Sequence, residues 1–223
     1  GGGVVAAGAG AELLELAELL GALVLTTVNG RGAIDETHPL ALGNLYQSRA
    51  VAAALAGADT TLAVGTRFQA GVDGGNHRLK PPGQLVHVDI DPAVIGRAHR
   101  AAVAVVGDAR LALRGLIDQL GAASRNDSQF NAALIEVCDG VRASLRSRIG
   151  GDYSSIMDTM RAGLPADGIV VRDTTVPAYN FGNQLLPILA PHTSISPTSG
   201  AIGPGLPLAI GAAIGTGCRT LVI

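Results

Sequence analysis

Tryptophan is absent from these 223 residues, and tyrosine and phenylalanine occur only three times each. A core must therefore be assembled from Ala, Val, Leu and Ile, which suits tightly packed α/β layers better than an aromatic-rich β-sandwich. Lysine occurs once, at Lys80, so nearly all positive charge is arginine. A formal net charge of -2 with no basic cluster excludes a nucleic-acid footprint. Cys138 and Cys218 stand far apart without CxxC or Cys/His spacing, which excludes a disulfide framework or a structural zinc site. Two free thiols fit a reducing compartment, and with no basic-then-apolar leader at the start the expected location is cytoplasmic. Asp, Glu, Lys and Arg are all missing from Thr174 to Cys218. Prolines and glycines scattered through that stretch exclude a membrane helix, so it is expected to be buried against a ligand or another subunit.

What is present is length enough for one large domain or somewhat more, and 48% hydrophobic residues. Leu13, Leu16, Ala17 and Leu20 recur at helical spacing and predict a helix over 11–20. Short apolar runs predict strands at 22–27, 60–64, 84–90 and 103–106, with a helix over 45–56. A further helix is expected over 109–120, capped by Asp108. Nearly continuous apolar strands alternating with helices mean a parallel sheet covered on both faces. The first strand of that sheet is expected to be missing, because Gly1-Gly2-Gly3 sits where a strand-to-helix turn belongs. Residues 1–121 read as this Rossmann-like domain and 122–129, small and polar, as a linker. Residues 130–223 read as the N-terminal part of a second parallel α/β unit. Its expected helices are 130–149 and 153–162, its expected strand 168–172. A helix or turn follows over 177–186, a helix over 203–215, and a strand starts at Thr220.

Several motifs admit two readings. Gly1 to Ala6 fits a relaxed GxGxxA pattern, whose amides cradle pyrophosphate, but glycines also simply make tight turns. Asp89 and Asp91 at a strand end either hold a ribose hydroxyl or start a turn fixed by Pro92. The five histidines have no ligand or triad spacing; His38 is expected to bond locally and His87 to be packed. Asp173-Thr174-Thr175 follows a strand, where α/β sheets bind ligands, or else it caps a helix. Ser199 to Pro207, followed by small residues through Ala212, offers exposed backbone for a planar heterocycle, with Ile202 as a stiff, β-branched wedge.

Taken in order, the segments resemble the thiamine diphosphate-dependent enzymes of the acetolactate synthase and 2-oxo acid decarboxylase type. The resemblance runs through Thr26-Thr27, Gly30 to Ala33, His38-Pro39-Leu40, Leu62 to Phe68, Val86 to Pro92 and Val106 to Ala109, then Ser199 to Ala212. It implies that Gly200, Ala201, Ile202 and Gly203 face the cofactor. The Gly200 carbonyl would accept from the aminopyrimidine, and Ile202 would hold the two rings bent. Asp173, Thr174 and Thr175 correspond to a loop that helps hold the diphosphate. The resemblance also implies Mg²⁺, a 2-oxo acid substrate, and a homodimer or homotetramer in the full-length protein. It places the activating glutamate and the Gly-Asp-Gly…Asn magnesium motif outside these residues. This chain is therefore expected to be an inactive internal fragment with no catalytic residue of its own. Val176-Pro177-Ala178-Tyr179-Asn180 replaces a Gln-His-Gln-Met-Trp-like stretch of typical acetolactate synthases, which admits a benzoylformate-type lyase on a bulkier 2-oxo acid. A nucleotide-binding module holding FAD or ADP, and a non-catalytic assembly domain, are the competing readings.

Overall fold

The computed structural model describes residues 1–68, 80–121, 128–198 and 200–223. The expected linker therefore lies largely outside the described residues, as do Ser199 and His77.

The chain opens with a short helix α1 (Gly2–Ala6) and an amphipathic helix α2 (Gly10–Leu20). A parallel pair follows, β1 (Val24–Leu25) with β2 (Ala41–Gly43), joined through a 3-10 turn at Val28–Gly30. Helix α3 (Arg49–Leu55) leads into a second sheet of β3 (Thr60–Val64), β4 (Gln84–Asp89) and β5 (Val103–Val106), in that spatial order and again parallel. Helix α4 (Ala109–Leu120) begins where expected, because the Asp108 carboxylate accepts from the amides of Arg110 and Leu111 at 2.9 and 3.1 Å.

The two helices expected beyond the linker form one run, α5 (Ser128–Gly163), broken at Gly150 (φ 81°, ψ 174°). A third parallel sheet follows, ordered β7 (Ser194–Ile195), β6 (Ile169–Val171), β8 (Thr220–Val222), with α6 (Gly205–Thr216) between β7 and β8 in sequence. The expected helix or turn after β6 is a π-helical turn at Ala178–Gly182. Every pairing is parallel, as the apolar strands predict. Strands β2 and β7 have no counterpart in the sequence reading.

Three packed regions hold these layers. Val4, Leu16, Val64, Val88 and Leu113 bring α1, α2 and α4 onto one face of β3–β4. Leu42, Leu45 and Val51 pack with Leu134 and Cys138, so the first half of α5 lies on the β1–β2 pair and α3. Around β6 the period of two is plain. Val170 faces Met157, Phe181 and Leu186 on one side, while Ile169 and Val171 face Ala209 of α6 on the other. Burying each such side chain contributes about 1.5–3 kcal/mol before entropy is counted.

The opening glycines have a steric role in this packing. The Gly3 amide donates to the Gly65 carbonyl at 3.0 Å, and a Cβ on Gly3 would stand 2.7 Å from the Gly65 Cα. Backbone meets backbone there, at a distance no other residue permits.

The two halves are stapled by a buried ion pair. Arg31, 2% exposed, donates to Glu36 and to the carbonyls of Gly182 and Leu186, both at 2.6 Å. Glu36 in turn accepts from the Ile188 amide at 2.9 Å. Among the described residues no helix is long and apolar enough to cross a membrane.

Candidate cofactor site

The site grows from the carboxyl end of β6, the central strand of its sheet. Its neighbours β7 and β8 lie on opposite sides of it, and in open α/β sheets ligands bind beyond the carboxyl ends of the strands. The Arg172 amide donates to Ile195 and the Asp173 amide to Ile223, so these two residues continue the ladder to both neighbours.

Asp173 is the organising residue. Its carboxylate accepts from the amides of Thr174 (2.6 Å), Gly203 (3.0 Å) and Gly205 (2.8 Å). It thus caps the start of α6 from 32 residues away in sequence. A Cβ on Gly205 would lie 2.7 Å from the Asp173 Cβ, so only glycine lets the carboxylate sit there. Thr174 completes the tie: its hydroxyl lies 3.1 Å from the Gly200 carbonyl and 3.0 Å from that of Ala201. Thr175 does a different job, its hydroxyl accepting from the Ala178 amide at 3.3 Å at the head of the π-helical turn.

The turn itself is open on its outer side. Gly200 (φ +65°) and Gly203 (φ +105°) are left-handed, and an added Cβ at either would meet nothing within 4 Å. Ile202 is 81% exposed and Ala201 is exposed beside it. A carbonyl has two lone pairs, so Gly200 can take a second donor beside Thr174. Asp173, Thr174, Tyr179, Ser196 and Gly200 line one end of a cavity of about 1430 Å³. The Gly200 carbonyl can thus accept at that end of the cavity, whereas Ile202 is not among the residues that line it.

Backbone hydrogen bonds, from Thr174 first and then Gly205 and Gly203, hold the Asp173 carboxyl below its ordinary value of 3.8. A depressed folded-state value means the carboxylate stabilises the fold above its unfolded pKa and loses that contribution as pH falls through the folded one. Asp173→Asn is therefore expected to flatten the acid limb of the stability–pH curve below about pH 4. Urea midpoints from pH 2 to 7 check this, and a limb as steep as in the parent would contradict it.

The structure brings Asp173, Thr174, Gly200, Ala201, Ile202 and Gly203 together; Thr175 faces the π-helical turn instead. Asp89 and Asp91 turn inward on their own loop, accepting from the amides of Asp91 and Ala93. The Leu40 amide donates to His38, and His87 is buried, with Nε2 3.0 Å from the Thr66 carbonyl. Sequence reasoning missed Arg172, which is 4% exposed and reaches the Asn183 side chain beneath the site. Its place in an uncharged segment's first flank was the available signal. Among the described residues no three His, Cys, Asp or Glu side chains gather as a metal site.

Parallel sheets with a glycine turn near the carboxyl end of a central strand define an α/β protein, a class that binds ligands beyond its strand ends. Comparison with known proteins gives the family. The profile of the thiamine pyrophosphate enzyme central domain matches residues 1–116. A probable 2-ketoarginine decarboxylase of Pseudomonas aeruginosa is 37% identical over 219 residues, covering 96% of this chain and 38% of that protein. A probable acetolactate synthase large subunit of Methanocaldococcus jannaschii is 41% identical over 131 residues, 58% of this chain and 22% of the relative. An acetolactate synthase of Mycobacterium avium is 40% identical over 122 residues, 54% and 20% respectively. The chain belongs to the thiamine pyrophosphate enzyme family, and it spans well under half the length of these relatives.

Proposed function

We propose that these residues form the central and cofactor-facing part of a thiamine diphosphate enzyme that decarboxylates a 2-oxo acid. The observation that carries this is the Gly200–Gly203 turn, held by Asp173 and Thr174, with Ile202 projecting from it. When bound, thiamine diphosphate supplies the nucleophilic carbon and the electron sink that decarboxylation needs. This chain's residues hold and orient it. The Gly200 carbonyl would accept from the pyrimidine amino group, and Ile202 would support the rings. Asp173 keeps the turn rigid through three amides, and the Thr174 hydroxyl fixes the carbonyls of Gly200 and Ala201. Asp173 is spent on that cap, so we assign no magnesium ligand to this chain. We assign the activating glutamate to no residue of this chain either. A cytoplasmic homodimer or homotetramer belongs to the same reading.

Carboligation of the acetolactate synthase kind is the second reading. The similarity to a decarboxylase runs through 96% of the chain, whereas the synthases cited match 54–58% of it. That contrast, with Val176 to Asn180 in place of the synthase stretch, favours release over ligation. The test is titration of the native polypeptide carrying these residues with thiamine diphosphate and Mg²⁺. Release of carbon dioxide and an aldehyde from a 2-oxo acid is the expected result. An acetohydroxy acid product would favour the synthase reading, and failure to bind the cofactor would overturn both.

A further inference from the structure

The π-helical turn after β6 has two faces. Ala178 and Phe181, 2% and 0% exposed, pack inward with Met157 and Leu186. Tyr179 lies on the other face and is 49% exposed. It lines the same end of the cavity as Asp173, Thr174 and Gly200, which build and hold the cofactor turn. Such turns are rare and recur at functional sites. Backbone bonds fix this one on both sides. The Tyr179 amide donates to the Thr175 carbonyl at 3.1 Å, and the Asn183 amide to the Ala178 carbonyl at 2.9 Å. The ring therefore stands on a firm base.

The fold itself makes no use of that ring's polar tip. Among the described residues the Tyr179 hydroxyl has no hydrogen-bond partner and its ring no aromatic neighbour. A tyrosine so placed offers a broad face with negative character and a hydroxyl that can donate or accept. The wall beside it is neutral. Ser196 and Thr198 add hydroxyls to the cavity, while the charged Arg172 and Asp173 are engaged by the Asn183 side chain and by the α6 cap. Two bonds between the halves bring a second tyrosine to this region. The Asn44 side chain donates to the Asn183 carbonyl at 3.2 Å, and the Gln184 side chain to the Asn44 carbonyl at 3.4 Å. Tyr46, two residues beyond Asn44, lines the same cavity.

We infer that Tyr179 is a specificity-determining residue, which receives a 2-oxo acid whose side chain ends in N–H donors, as a carboxamide does. The inference rests on the decarboxylation proposed above and names its substrate class. The hydroxyl oxygen accepts from an N–H, and the negative face of the ring favours an N–H over a carboxylate. An alkyl end of the same length fills the space without making the bond, and a site built around a hydrogen bond discriminates against such an analogue.

The test uses the native polypeptide carrying these residues, loaded with thiamine diphosphate and Mg²⁺. Three 2-oxo acids of equal chain length are compared, ending in a carboxamide, a methyl group and a carboxylate. The parent is expected to favour the carboxamide over both others by about tenfold in kcat/KM, the scale of one hydrogen bond. Tyr179→Phe is expected to cut the carboxamide-to-methyl ratio about fivefold, through KM more than kcat. Tyr179→Leu, which also removes the ring, is expected to bring the ratio close to one. A merely structural role would lower all three acids together and lower Tm, leaving the ratio where it was. An unchanged ratio in both variants therefore overturns the inference. So does a parent that prefers the methyl end, or one that prefers the carboxylate, which would point instead to Arg67 on the same cavity. Calorimetric cofactor binding separates the two levels. Cofactor binding with equal turnover of all three acids overturns this inference alone, whereas failure to bind the cofactor or to release carbon dioxide from any of them overturns the proposed function as well.

Discussion

Arg31→Met is expected to destabilise the folded chain by about 3–5 kcal/mol, the usual cost of leaving one partner of a buried ion pair alone. For a chain of this length that corresponds to roughly 6–20 °C in Tm. The size follows from what the guanidinium does. It neutralises Glu36, whose side chain is 6% exposed, and satisfies the carbonyls of Gly182 and Leu186. Without it a carboxylate and two carbonyls stay buried without their donor. Arg31→Lys is expected to rescue little, because one ammonium on a flexible stem cannot span a carboxylate and two carbonyls as a planar fork does. Arg31→Met with Glu36→Leu removes the stranded charge and is expected to fall between the parent and the single variant. It still leaves the Ile188 amide and both carbonyls unsatisfied, at about 1–3 kcal/mol each. Thermal and urea denaturation of the four proteins check the order, and a double variant less stable than Arg31→Met would refute it.

The staple also connects fold to site. Residues 182–188 follow the π-helical turn whose first amide is held by Thr175, and Phe181 in that turn is fully buried beneath β6. Releasing Gly182 and Leu186 is expected to loosen the π-helical turn packed beneath β6.

How far the residues announce this arrangement depends on how local the cause is. Strands β3 and β5 and helix α4 have the bounds that pattern reading gives them, because apolar runs and the Asp108 cap act within a few residues. The helix expected over 45–56 begins at Arg49, since Leu45 is fully buried and the preceding Asn44 side chain donates to the Asn183 carbonyl. Strands β2 and β7 are three and two residues long, and exist only because a parallel neighbour offers hydrogen bonds. No local pattern encodes them. The Arg31 staple joins residues 151 and 155 positions apart, so only the folded chain reveals it. The glycine turn was legible as a turn, and its Gly200 and Gly203 are left-handed. Its fastening by Asp173 was legible only as one of two alternatives, a cap or a ligand loop, and the geometry gives the cap.

Ile202→Ala should separate function from stability more cleanly than any other change in the site. At 81% exposure the side chain supports nothing within the fold, so stability is expected to stay within about 0.5 kcal/mol of the parent. In the native polypeptide carrying these residues, turnover of a 2-oxo acid is expected to fall about a hundredfold. That is the loss typical of a reacting group displaced by about 1 Å, and equals about 2.7 kcal/mol of barrier. The reason is mechanical. A β-branched side chain on a turn clamped by Asp173 and Thr174 is a stiff stop, whereas alanine leaves the rings a gap to relax into. Ile202→Val keeps the branch and is expected to retain most of the turnover. Thr174→Val should resemble Ile202→Ala in direction, since it frees the carbonyls that set the turn's shape. Kinetics beside calorimetric cofactor binding decide the matter. Full turnover in Ile202→Ala would remove the residue from the cofactor site, and a large loss of fold stability would mean that its exposed side chain is covered in the working enzyme.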